Sequence, residues 1–256
     1  MKEIIFLGTA GARYVVFRQI RASGGIWFRT ENTNILVDPG PCSLLRITRS
    51  KHGISTDKLD AVILSHRHLD HSADINVIIE AMTEGGFKKR GKLFAPYDAV
   101  EGDSPVVLQY LKDFLEEIII IEEKKKYSIK DITFYSPCRH HHRGETYGFI
   151  FEMSSTRVGY LSDTEFFPEL KECYKGCDVL ILNVVRLKKK DGLDHLSVPE
   201  AEEIIEAIKP KKAVITHFGM TLIKAKPWVV AEEMKKRTGI EIISANDGMK
   251  LDISSL

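Results

Sequence analysis

The sequence predicts an α/β fold in which two mixed sheets pack face to face with helices on the outside. Two observations lead there. Strand-like and helix-like segments alternate through both halves of the chain, and several early strand-like runs are separated only by Gly, Asn or Asp, as hairpin partners are. A further pattern bears on function: Asp and His repeatedly follow directly after short, β-branched apolar runs.

Taken in order, strand-like runs cover residues 2–8, 25–30, 33–37, 61–65, 91–95, 117–122, 131–136, 146–152, 157–161, 178–183, 212–216, 240–244 and 249–253. They are short and rich in Val, Ile and aromatic residues, as strands are. Helical periodicity marks 42–51, 73–84, 104–115, 167–174, 198–208 and 227–238. The start at Ser197 is the best specified, with Pro199 in the first turn and Glu200 three positions after the cap. No linker rich in Gly, Ser or Pro divides the chain, so one domain over 1–256 is expected. Residues 84–130 are the loosest part, broken by Gly85-Gly86, Pro96 and Gly102, and are expected to form a flap or an edge excursion.

Composition sets limits. A hydrophobic share of 43% is ordinary for a packed core, and a net charge of +1 projects no global field towards nucleic acid or an anionic membrane. The basic runs at 88–90, 124–126 and 188–190 read as solvated turns. The N-terminus reads as a first strand rather than a signal peptide, and no apolar window is long enough to span a membrane. Cys42, Cys138, Cys173 and Cys177 include no C-x-x-C pair, so free thiols in a reducing cytoplasm are expected.

The chemistry concentrates at Ser65-His66-Arg67-His68-Leu69-Asp70-His71, directly after the apolar run Ala61-Val62-Ile63-Leu64. His66 and His68 are two apart, so on an extended backbone their rings point the same way. Asp70 and His71 enter a turn towards a helix. Such N and O ligands suit zinc or another first-row divalent ion. Other candidates also sit at strand ends: His140-His141-His142 after 131–136, Asp163 after 157–161 and His217 after 212–216. If those strands share one sheet edge, the ligands gather at one rim.

This ordered set resembles the metallo-β-lactamase-fold hydrolases. The resemblance is carried by Leu7-Gly8-Thr9, Leu36-Val37-Asp38-Pro39-Gly40, the H-x-H-x-D-H motif of His66, His68, Asp70 and His71, a later His, Ser162-Asp163-Thr164 and Thr216-His217-Phe218. It implies a four-layer αββα sandwich with a dinuclear metal centre. His66, His68 and His142 would hold one ion, Asp70, His71 and His217 the other, and Asp163 would bridge them. The ions are expected to be zinc, with manganese or iron as alternatives. Family members place the third histidine five residues before an aromatic-Gly-aromatic strand; Tyr147-Gly148-Phe149 selects His142 on that count, with His140 and His141 as alternatives. Asp38 is expected to hydrogen-bond a ligand histidine rather than the metal.

Two ions bridged by Asp163 would supply a hydroxide nucleophile, with Asp70 among the reacting groups. Redox relatives carry a carboxylate at position 68; His68 therefore favours hydrolysis. Asp194-His195-Leu196-Ser197 resembles the extra-histidine motif of the phosphodiesterase branch, which includes ribonuclease Z. That resemblance makes His195 a candidate to steady the scissile phosphate or assist the leaving group. Ribonuclease Z enzymes also carry a long tRNA-gripping arm, usually between the equivalents of Asp163 and His195, and this chain has only a short stretch there. A small or cyclic phosphodiester, or a nucleic-acid end, is the expected substrate. Arg13, Arg18 and Arg21 are candidates to meet its phosphate. The competing readings are tRNA 3′ processing, a thioesterase or lactonase on the same centre, and a metal-binding protein without turnover. A homodimer is the candidate assembly, and no membrane partner is expected.

Overall fold

The computed structural model describes residues 1–190 and 192–256. One sheet is built from β1 (Glu3–Phe6), β2 (Ile26–Arg29), β3 (Asn34–Val37), β4 (Ala61–Ile63), β5 (Lys92–Ala95) and β6 (Glu117–Ile120). The other holds β7 (Lys126–Ile129), β8 (Ile132–Tyr135), β9 (Phe149–Met153), β10 (Thr156–Leu161), β11 (Val179–Arg186), β12 (Leu196–Ser197), β13 (Lys212–Thr216) and β14 (Ile242–Ser244). The last strand, β15 (Met249–Asp252), returns to the first sheet beside β1.

Spatial order is β15-β1-β2-β3-β4-β5-β6 in the first sheet and β14-β13-β11-β10-β9-β8-β7 in the second, with β12 beside β11. Each sheet is antiparallel at one end and parallel at the other. Parallel neighbours require crossovers, and the helices in those crossovers cover the outer faces.

The period-2 pattern of each strand assigns its two faces. Ile4 and Phe6 of β1 enter the space between the sheets, while Ile5 faces the outer helices. In β11, Val179 and Ile181 point inward and Leu180 and Leu182 outward. The inner layer is aromatic: Phe28 of one sheet stacks on Phe151 of the other with centroids 4.2 Å apart. Outside the second sheet, helix Val198–Ile208 buries Ala201, Ile204, Ile205 and Ile208, one apolar stripe. Its Ser197–Glu200 capping box is present, with Ser197 N–H donating to Glu200 Oε2 at 2.9 Å. Outside the first sheet, helix Ile75–Met82 buries Ile75, Ile78, Ile79 and Met82. These are the four αββα layers.

Two expectations need correction. The helix expected over 104–115 is a 3₁₀ turn of Gln109–Phe114 only. Leu108 before it is extended and gives its N–H to Asn76 Oδ1 at 2.9 Å, so the helix cannot start earlier. The basic run at 124–126 is not all turn: Lys126 opens β7, in which Tyr127 and Ile129 are buried and Lys126 and Ser128 exposed. Residues 84–130 thus carry β5, β6 and β7, of which β6 and β7 are edge strands of the two sheets. Among the described residues no helix is long and apolar enough to cross a membrane.

Candidate metal centre

The C-terminal ends of β3, β4, β10 and β13 supply the centre, which sits at a rim shared by both sheets. The expectation of a single sheet edge is corrected accordingly: His66 follows β4 of the first sheet, whereas Asp163 and His217 follow β10 and β13 of the second. His142 comes from the loop between β8 and β9. Two turning points are strained. Asp38 (φ 53°) and His217 (φ 62°) adopt the left-handed region, which swings each side chain off its strand axis. Gly11 packs on His217 so closely that a Cβ there would lie 2.0 Å from its carbonyl oxygen. After His68 the chain enters the short helix Leu69–Ser72, which carries Asp70 and His71.

Three imidazoles form one group. His66 Nε2 and His142 Nε2 each lie 3.1 Å from His68 Nδ1. Their far nitrogens carry the ring protons. His142 Nδ1–H donates to the Asp194 carbonyl at 2.9 Å. Ser65 Oγ donates to Asp38 Oδ2 at 2.7 Å and accepts from His66 Nδ1–H at 3.0 Å. With those protons facing outward, the inward nitrogens of His66 and His142 present lone pairs.

Asp70, His71, Asp163 and His217 form a second group. His71 Nε2 lies 3.4 Å from Asp163 Oδ2 and 3.8 Å from Asp70 Oδ2. His217 Nε2 lies 3.3 Å from Asp163 Oδ1 and 3.6 Å from Asp70 Oδ2. Asp163 reaches both groups, since its Oδ2 is also 4.0 Å from His142 Nε2. An ion about 2.0–2.1 Å from each tetrahedral ligand separates neighbouring ligand atoms by about 3.3–3.4 Å. The observed spacings of 3.1–4.0 Å fit such ions. His71 Nε2, His217 Nε2 and His195 Nδ1 are buried with no hydrogen-bond partner among the described residues. Each such orphan costs about 1–3 kcal/mol, a deficit that a bound cation offsets.

Charge follows the same division. Burial, reinforced by His71, puts the His66 pKa well below the usual histidine value. His142 is lowered to about 4, mainly by burial. Burial also works against a charged His71, yet Asp163, Asp70 and Asp38 raise its pKa well above the usual value. Burial would raise the Asp163 pKa, but His217, His71 and His195 hold it well below the carboxylate range. The first group is thus one of neutral imidazoles, whereas in the second a protonated His71 faces an ionised Asp163.

The histidine triplet separates by position. His142 joins the centre. His140 is buried and bonds Ser162 Oγ at 3.1 Å and Tyr174 Oη at 2.8 Å. Gly148 makes room for that pair, since a Cβ there would sit 2.0 Å from Tyr174 Oη. His141 is half exposed and stacks on Phe167 at 4.0 Å. Asp38 touches neither ligand group with an open oxygen: Oδ2 accepts from His71 Nδ1–H at 3.0 Å and from Tyr160 Oη at 2.8 Å. Asn183, unnoticed in the sequence, donates Nδ2–H to Asp163 Oδ1 at 2.9 Å. An Asn among the apolar residues of β11 was its signal, because a buried amide needs a partner.

His195 brings Nδ1 to 3.5 Å from Asp163 Oδ2, and its ring lies 5.0 Å from that of His142. The arginine expectation is narrowed. Arg13 and Arg18 are exposed, whereas Arg21 donates to Thr9 Oγ1 at 3.1 Å and covers the Phe218 ring at 5.4 Å.

Residues 33–218 match the family described as a beta-lactamase superfamily domain. An uncharacterized protein of Methanocaldococcus jannaschii is 35% identical over 98% of this chain and 95% of its own length. Among solved structures, the metallo-beta-lactamase fold protein YhfI from Bacillus subtilis superposes with a TM-score of 0.81 at 20% identity, covering 98% of each chain. A diphosphatase from the PhnP family gives 0.71 at 22% identity, covering 98% of this chain and 97% of that one. The likeness to the two solved structures is one of fold.

Proposed function

The chain belongs to the beta-lactamase superfamily and is a metal-dependent hydrolase of that fold, and from this premise we propose that its reaction is phosphodiester hydrolysis. The observation that carries the reading is His195. It comes from the turn before β12, and its unpartnered Nδ1 faces Asp163 beside His142, so that it borders both groups and forms with those two residues a third cluster of close ligand atoms. An imidazole so placed serves a phosphate oxygen or a leaving oxygen that enters the rim. The fold shared with the PhnP-family diphosphatase is consistent with phosphate chemistry.

His66, His68 and His142 would hold one divalent ion, and Asp70, His71 and His217 a second, with Asp163 common to both; zinc suits this set. Such ions, when bound, neutralise phosphate charge and make water a better nucleophile at neutral pH. The chain's own groups do the rest. Asn183 fixes the Asp163 carboxylate, and Asp38 fixes the His71 ring. Asp70, whose side chain is 23% exposed, is the carboxylate open to the cleft, and its oxygen not turned towards His71 and His217 takes the proton of the attacking water. His195 Nδ1 holds the phosphate or donates to the departing oxygen.

A small or cyclic phosphodiester, or a nucleic-acid end, is the substrate class. Between Asp163 and His195 the described residues form the helix Leu170–Cys173 and β11, leaving no arm there to grip tRNA. The test is cleavage of bis(p-nitrophenyl) phosphate and a nucleoside cyclic phosphate by metal-loaded protein. Activity is expected, abolished in Asp163→Ala and reduced in His195→Ala. Protein that opens thioesters or lactones and leaves every phosphodiester intact overturns the reading.

A further inference from the structure

We infer that the chain carries a second anion site, away from the metal centre, that binds the phosphate of a nucleotide. A cavity of about 360 Å³ opens beside the helix Ser43–Thr48 and the turn that leads into β15. Ile5 and Leu7 line it, and Arg46, Arg49, Ser50, Lys51 and His52 surround it. No carboxylate is among its lining residues. Arg49 and Lys51 are exposed and make no ion pair or side-chain hydrogen bond among the described residues. Arg46 approaches one carboxylate, Asp247, at 3.6 Å. That carboxylate is already engaged, accepting from Thr9 Oγ1 and from the Ala22 N–H, each at 2.7 Å. His52 Nε2 is within 2.9 Å of the Gly248 carbonyl, which pins its ring as a wall.

Arg49 and Lys51, unpaired beside Arg46 around a concave space, have a specific chemistry. Guanidinium groups grip phosphate oxygens in pairs, and a lysine adds a point charge. The volume is within the range of small-molecule sites. The ligand class is a nucleotide phosphate, either a free nucleotide or one residue of a nucleic-acid strand. A chain of contacts runs from the site to the rim. Asp247 links Arg46 to Thr9, and Thr9 lines the cleft that holds Asp70, His71 and His217. The inference does not rest on the proposed reaction.

The test titrates ADP by calorimetry and a short fluorescein-labelled RNA by anisotropy. It uses the full chain, the double variant Arg49→Glu/Lys51→Glu, and His217→Ala to separate binding at the metal centre. Saturable binding is expected, weakened about tenfold or more in the double variant and within about twofold of the parent in His217→Ala. Circular dichroism checks that each variant is folded. Binding of ADP alone identifies a free nucleotide; binding of RNA that ADP displaces identifies a strand. Failure of both probes to bind, binding unchanged in the double variant, or binding lost in His217→Ala overturns the inference.

Discussion

Asp38 Oδ2 accepts the Nδ1–H of His71 at 3.0 Å, and the same carboxylate ties in Ser65 through both its N–H and its hydroxyl. One buried aspartate thus sets the ring angle of a histidine in the second ligand group and, through Ser65, braces His66 in the first. Asp38 gains this reach from its left-handed backbone at the end of β3.

Asp38→Ala should therefore lower zinc affinity by about 10–100-fold while the ligands themselves remain. Competition against a chromophoric chelator measures it. Affinity within twofold of the parent would show that Asp38 does not orient His71.

The histidine triplet predicts three different phenotypes. His142→Ala should lose bound metal. His140→Ala should keep metal but lose about 2–4 kcal/mol of stability, because it leaves a cavity and strips Tyr174 Oη and Ser162 Oγ of a partner. His141→Ala should cost less than about 1 kcal/mol, since its ring stacks on Phe167 and meets Glu165 at 3.5 Å in an exposed setting. Metal content and urea unfolding of the three variants separate them; metal loss in His140→Ala with metal retained in His142→Ala would reverse the assignment.

Stability should also depend on pH through His140. Burial lowers its pKa from 6.5 to about 3, so the folded chain refuses a proton that the unfolded chain accepts. Above the unfolded value both forms are neutral and the full contribution is present. Between about pH 6.5 and 3 the unfolded state binds the extra proton and the contribution falls away. The stability advantage of the parent over His140→Gln should shrink as pH drops through that window. An advantage that grows on acidification contradicts the buried, neutral assignment.

Much of this was legible in the sequence, and the omissions have physical causes. Strands buried on both faces, such as β4 and β11, announce themselves as short apolar runs, and the Ser197–Glu200 box marks its helix to the residue. β7 was hidden because its exposed face begins with the lysine run. Helix Arg13–Phe17 has one turn and no side-chain cap, too little periodicity to register. In the centre, His66, His68, Asp70 and His71 stood out because ligand types crowd a strand end. Tyr160 carried no signal and Asn183 only that of an amide inside an apolar strand, which names no partner; the folded register sets them against Asp38 and Asp163.

The central claim is a pair of ion sites joined by one carboxylate. Calorimetric titration of zinc into chelator-stripped protein tests it most directly. Two ions per chain are expected for the parent, one for His217→Ala, and a weakened affinity at both sites for Asp163→Ala. A single ion in the parent, or two ions bound undiminished by Asp163→Ala, would contradict it.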